Sequence, residues 1–226
     1  MQEDHPGTNL MYMMAQKILI VPKVRSWEQA LTADGIMREG DSLDNRNWVD
    51  AGEVSVRFLI CHDGSDIFLQ YFVEEPQVRA THTRFNDPVH EDSCVEFFIA
   101  FQGEQERYYN FEFNCIGTML GGYGKSRQER DRFSEEVLRQ ITTIPSLGKK
   151  PFGLREGPVI WKLSIRLPAG VFIHSGIDDL TGRQASANFY KCGDRLDNPH
   201  YLSWAAVNTP KPDFHQPRYF GKLVFR

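Results

Sequence analysis

The sequence predicts an all-β protein, a single antiparallel β-sandwich with long loops and one or two short helices. Three observations carry that reading. Residues 54–60 and 67–73 are two β-rich apolar runs around His62-Asp63-Gly64-Ser65, the signature of a hairpin. Tyr109, Phe111 and Phe113 alternate with Asn110, Glu112 and Asn114, the period-two pattern of a strand with one polar face. Val159, Trp161, Leu163, Ile165 and Leu167 alternate with polar residues over most of their length. Many strands, frequent turn signals and little helical periodicity point to packed antiparallel sheets.

The elements follow in order. Residues 26–31 have room for a turn or two of helix. The hairpin gives the first two strands, and residues 94–101 give a third that is apolar on both faces. Residues 109–114 form the fourth strand and 159–167 the fifth. Residues 187–192 and 201–205 are shorter strands, and 220–225 close the chain. Ser134 followed by Glu135 and Glu136 reads as an N-cap with acids in the first turn, so a short helix is expected over 134–140. Residues 74–91, 117–133 and 207–219 read as long loops, a length that in a compact domain usually carries function. Gly121-Gly122-Tyr123-Gly124-Lys125 lacks the spacing of a phosphate-binding loop and reads as flexible.

The 226 residues suit one domain, and 41% hydrophobic residues suffice for its core. Residues 1–15 read as a mobile or variable extension. A net charge of −4 gives no positive field for nucleic acid, and no segment is long and apolar enough to span a membrane. The acidic start lacks the basic region, apolar run and cleavage site of a signal peptide. That predicts a cytoplasmic protein; an extracellular or periplasmic location follows if the N-terminus is not native. Cys61, Cys94, Cys115 and Cys192 are widely spaced without a C-x-x-C pair, which predicts free thiols and argues against zinc.

The residues able to carry chemistry are few. Trp204 sits in Tyr-Leu-Ser-Trp between turn-rich stretches. It is either a plate for the apolar face of a sugar ring or a plug in the sandwich core. Tyr108, Asn110, Glu112 and Asn114 share one strand face and are rich in groups that bind hydroxyls. Glu96 lies in an apolar strand, so it needs an ion partner, a hydrogen bond or a pocket. Glu96 and Glu112 together would suit a glycosidase acid and base. No cofactor is expected; a structural calcium on Asp87, Glu91 and Asp92 stays open.

Several of these segments, taken together, resemble family 9 carbohydrate-binding modules. The carriers are Asp92-Ser93-Cys94-Val95-Glu96, Tyr201-Leu202-Ser203-Trp204, residues 187–194, and Pro212-Asp213-Phe214-His215 followed by Phe220-Gly221-Lys222-Leu223. The resemblance spans roughly residues 40–226 and implies a DOMON-like sandwich that binds sugars without hydrolysing them. It implies that Trp204 is one of two clamping rings and Glu96 a hydroxyl-binding carboxylate. Glu112, Asn114 and Tyr190 become further polar contacts. The second clamp ring is replaced by His90, and an expected strand arginine by Glu112. Phe85, Tyr108 and Tyr123 are the candidates to replace the missing ring. The expected ligand is therefore a carbohydrate, held by Trp204, Glu96, Glu112, Asn114, Tyr190 and His90. The rivals are a glycoside-processing enzyme and a protein-interaction domain on the same scaffold.

Overall fold

The computed structural model describes residues 16–31, 40–101 and 107–226. The extension expected over 1–15 lies outside the described residues. The strands are β1 (Ile18–Val21), β2 (Gly40–Ser42), β3 (Asn45–Arg46), β4 (Ser55–His62), β5 (Asp66–Ala80), β6 (Cys94–Phe101) and β7 (Tyr108–Asn114). They continue with β8 (Met119–Gly124), β9 (Arg130–Arg132), β10 (Thr142–Pro145), β11 (Phe152–Pro168), β12 (Gln184–Cys192), β13 (Tyr201–Ser203) and β14 (Gly221–Phe225). Two short α-helices, α1 (Trp27–Leu31) and α2 (Glu135–Leu138), and three single turns of 3-10 helix at Val89–Glu91, Ala169–Val171 and Pro217–Tyr219 complete the described elements.

Among the described residues the strands form two sheets. The larger runs β1-β14-β12-β6-β7-β8-β9, with β13 and β3 attached beside β12. The smaller runs β10-β11-β5-β4-β2. Pairing is antiparallel except for β1 against β14, which is parallel. The antiparallel sandwich expected from the sequence is therefore the fold, with one parallel edge pair. No described helix is long and apolar enough to cross a membrane.

The core lies between the sheets. Alternation sends Val95, Phe97 and Ile99 of β6, Tyr109, Phe111 and Phe113 of β7, and Phe189 of β12 inward against Phe58, Tyr71 and Trp161 of the smaller sheet. The β4–β5 turn forms as expected: Asp63 Oδ1 accepts the Ser65 and Asp66 amides at 2.9 and 2.8 Å, and Gly64 has φ +107°. Ser134 caps α2 by accepting from the Val137 amide.

Two loop expectations fail. Residues 74–80 continue β5 instead of beginning a loop, because β11 also starts early, at Phe152, and pairs with them through two register shifts. Within 117–133, residues 119–124 and 130–132 are β8 and β9. The glycines there answer close packing. A Cβ on Gly124 would run into the Glu129 carbonyl, and one on Gly122 would sit 2.8 Å from the Asp131 carbonyl. A glycine run chosen for tight strand approach looks, in sequence, like one chosen for flexibility.

Candidate functional site

The large sheet has a second buried face, turned away from the sandwich core. Strand alternation puts Cys94, Glu96 and Phe98 of β6 there, with Tyr108, Asn110, Glu112 and Asn114 of β7 and Tyr190 and Cys192 of β12. Register fixes neighbours: Tyr190 opposes Glu96, and Glu96 opposes Glu112, so three adjacent strands present them in one row. The segment 207–220 straps over this face and seats Val207, Phe214 and Phe220 on Phe98, Tyr108 and Tyr190. Phe214 stacks on Tyr190 at 4.2 Å between centroids, and the Tyr190 hydroxyl donates to the Phe214 carbonyl at 3.2 Å.

Where the strap stops short, a cleft of about 270 Å³ opens onto Glu96 and Glu112. Both carboxyl groups are nearly sequestered, at 4% and 2% exposure, yet their partners differ sharply. Glu112 Oε1 accepts from Arg130 Nη1 at 3.2 Å and Asn110 Nδ2 at 3.1 Å, and His90 Nδ1 lies 3.5 Å from Oε2. Glu96 has one donor close by, the Cys192 thiol at 3.2 Å.

The electrostatics follow. Burial raises the pKa of both carboxyls. At Glu96 burial dominates and the Glu112 charge adds to it, so the group is held protonated well above the usual carboxylate range. At Glu112 burial is outweighed by the His90 hydrogen bond and the Arg130 charge, and the group stays ionised. His90 is raised in turn, chiefly by Glu112. The cleft thus offers a neutral carboxylic acid, which donates a hydrogen bond, beside a carboxylate, which accepts. Arg127 and Arg132 add guanidinium donors at the rim.

The aromatic wall comes from Trp48, Tyr201 and Phe214. Trp48 is half-buried, meets Tyr201 edge-on at 5.6 Å and Phe214 at 5.5 Å, and donates Nε1–H to the Thr209 carbonyl at 2.7 Å. Its φ of +63° is left-handed, a conformation that costs a bulky residue about 1–3 kcal/mol. Neighbouring Asn47 holds the bend: its amide donates to the Tyr201 carbonyl at 2.8 Å and its side chain to Ser203 Oγ at 3.0 Å. The strained backbone delivers the ring to the cleft.

Of the six residues read from the sequence, the cleft gathers Glu96, Glu112 and His90. The other three lie outside the cleft lining. Trp204 is 1% exposed and packs in the sandwich core, edge-on to Phe58 and Phe189 at 6.3 and 5.6 Å, with its Nε1–H on Asp41 at 2.7 Å. Residue 204 follows β13 where the strand leaves β12, its amide bonded to the Phe189 carbonyl, and its ring lies over Gly221 of β14, where a Cβ would collide with it. Asn114 is fully buried and tied to the Asp92 carboxylate, the His82 carbonyl and the Thr118 amide. Tyr190 is covered by Phe214 and forms the floor beneath the cleft without lining it. The substitute rings also fall elsewhere. Tyr108 lies under the strap against Phe98, Tyr123 stacks on His174, and Phe85 lines a separate depression.

The three acids considered for calcium are occupied separately. Asp92 accepts from Thr81, His82 and Asn114, Glu91 pairs with His82 and Arg195, and Asp87 accepts the Thr83 and Arg84 amides. The arginine missing from β7 is supplied from two strands away, since Arg130 of β9 reaches Glu112. Sequence reasoning missed Trp48, whose signal was faint: an aromatic in Asn47-Trp48-Val49-Asp50, between turn formers.

A sandwich that opens a polar, aromatic-walled cleft on the outside of one sheet has the architecture of a binding module. The chain belongs to carbohydrate-binding family 9, whose family model matches residues 28–225. It is 39% identical to a candidate carbohydrate-binding protein of Bacteroides uniformis, with 94% of this chain and 100% of that one covered and a TM-score of 0.88. A family 9 carbohydrate-binding module of Caldicellulosiruptor kristjanssonii, solved with cellotriose, shares the fold at TM-score 0.59 and 15% identity over 93% of this chain and 94% of that one. The glucose complex of a module from the same organism gives TM-score 0.56 and 14% identity, over 93% and 96%. No curated protein matches the chain.

Proposed function

We propose that this chain binds carbohydrate without cleaving it, in the cleft between Trp48 and the Glu96–Glu112 pair. The observation that carries the reading is the half-buried Trp48 ring standing over the same cleft as a proton-donating and a proton-accepting carboxyl group. A pyranose presents an apolar C–H face and a polar rim. The ring would cover the face, worth about 1 kcal/mol beyond area burial. Glu96 would donate to one hydroxyl, and Glu112 with the guanidinium groups would fix its neighbours. Family membership and the cellotriose and glucose complexes of Caldicellulosiruptor family 9 modules support the ligand class.

A glycan array followed by calorimetry tests this. Binding of a sugar by the wild type, lost in Trp48→Ala and in Glu112→Gln with both variants folded by circular dichroism, is the expected result. An array with no binder, or binding unaffected by both changes, would overturn it. The split protonation of the two carboxyls is also the pattern of a glycosidase acid and base. Release of reducing sugar, abolished in Glu96→Gln, would replace binding with hydrolysis.

A further inference from the structure

Register makes Cys192 of β12 the direct cross-strand partner of Cys94 of β6, and both project to the cleft side, one residue pair from Glu96. The two sulfurs and a Glu96 carboxyl oxygen all lie within 4.8 Å of one another, and all three residues are buried. Among the described residues no other trio of His, Cys, Asp or Glu converges in this way. Cys192 Sγ and Glu96 Oε1 are 3.2 Å apart. Two donors on one tetrahedral zinc stand about 3.5–3.8 Å from each other, given Zn–S near 2.3 Å and Zn–O near 2.0 Å. The Cys192–Glu96 pair is therefore close to metal-bound spacing before any ion arrives, and Cys94 Sγ lies within 4.8 Å of both.

The other two cysteines make the contrast. Cys61 packs among Leu59 and Phe68 beside α1, and Cys115 sits in the sandwich core. These are thiols used as small apolar side chains. Cys94 and Cys192 share their space with a buried carboxyl, which an apolar role does not call for.

We propose that Cys94, Cys192 and Glu96 form a site for a thiophilic divalent cation, zinc above all, at the base of the cleft. Two thiolates and a carboxylate suit zinc, cadmium or cobalt(II) and disfavour calcium and magnesium, which take oxygen ligands. Uptake of M²⁺ by two thiols and a carboxylic acid releases up to three protons and needs no oxidant. Cys192 and Glu96 both line the cleft, so the ion's fourth position opens toward it, for water or a ligand hydroxyl. The sequence concealed this site because its ligands sit 98 residues apart, from Cys94 to Cys192, and strand register alone brings them together. The proposal does not rest on the sugar reading; with the ion bound, Glu96 is a ligand and the sugar's hydroxyls are left to Glu112, the guanidinium groups and the ion.

The test uses the full chain, purified with reductant and stripped with a chelator. Zinc is titrated against a competing chromophoric chelator, and cobalt(II) is added to a parallel sample. One equivalent of tightly held zinc is expected, with a thiolate-to-cobalt charge-transfer band in the near ultraviolet. Cys94→Ser and Cys192→Ser should each weaken zinc by a hundredfold or more, Glu96→Gln by tenfold or more, and Cys61→Ser not at all. Should a serine variant fail to fold, wild-type protein answers the question alone: zinc should protect Cys192 from alkylation, read by mass spectrometry. A cobalt complex without the thiolate band, zinc affinity indifferent to both serine changes, or alkylation of Cys192 unaffected by zinc would overturn the proposal.

Discussion

Two buried carboxylates, one on a strand of each sheet and lying on opposite sides of the large sheet, have opposite fates. Glu75 lies inside the sandwich. Its Oε2 is 2.8 Å from Lys191 Nζ, its Oε1 accepts from Trp161 Nε1 at 2.6 Å, and His200 stands 3.6 Å away. Lys191 is likewise fully buried and bonds the Cys192 carbonyl and His200. Glu96 lies on the other side, where, among the described residues, its hydrogen-bond donor is the Cys192 thiol. The same contrast holds for two tryptophans. Trp204 has rings packed against it and its N–H on Asp41; Trp48 keeps part of its surface in the cleft. A buried polar group closed off by its own chain serves the fold. One left with an unfilled side facing a cleft is available to a ligand.

The largest effect that could break this comparison is at Trp204. Trp204→Ala should cost about 3–5 kcal/mol, because the core loses an indole that packs edge-on against Phe58 and Phe189. Urea denaturation measures it; a variant as stable as the wild type but unable to bind sugar would return Trp204 to the cleft. Next is Lys191→Met, expected to cost about 3 kcal/mol by removing the cation 2.8 Å from the buried Glu75 carboxyl group. Adding Glu75→Leu should restore most of that loss, and a double variant no more stable than the single would show that the pair does more than cancel its own burial.

Trp48→Ala should cost stability only about 1 kcal/mol, since the ring is half-buried, while lowering sugar affinity tenfold or more. Equal losses in both would make Trp48 a packing residue like Trp204. A pH dependence is shared by both sides of the sheet. Burial, with Lys191 beside it, depresses His200 to about 2, and burial, with Arg130 beside it, depresses His215 to about 3. In the unfolded chain both titrate near 6.5. The unfolded state therefore binds more protons below that pH, and stability present above about pH 6.5 declines as the pH falls toward 3. Thermal melts between pH 7 and 4 should show the decline, with a shallower slope in His200→Gln; parallel slopes would mean that His200 is not held neutral.

Legibility varied with the range of the interaction. Hairpin, alternation and N-cap are local, so β4, β5, β7 and the capped α2 could be read directly. The segment 94–101 reads as apolar on both faces because both are buried, one under the opposite sheet and one under the strap. Glu96 and Glu112 were legible as anomalies, each a carboxylate where burial needs compensation. Asn114 and Tyr190 belong to the same strand faces, but the Asp92 network claims one and Phe214 covers the other. No local pattern distinguishes a polar residue turned to a cleft from one sealed beneath a strap.

The sequence by itself determined a β-sandwich of family 9 type and named the strands that carry its polar row, because period-two alternation and turn chemistry act over a few residues. Tertiary structure alone decided which indole went inside. It put Trp48 at the cleft, took Trp204 into the core, drew Arg130 to Glu112 from two strands away, and set Cys192 against Cys94. Each depends on strand register and on where a distant segment crosses the sheet, and those are fixed by packing between residues far apart in the chain.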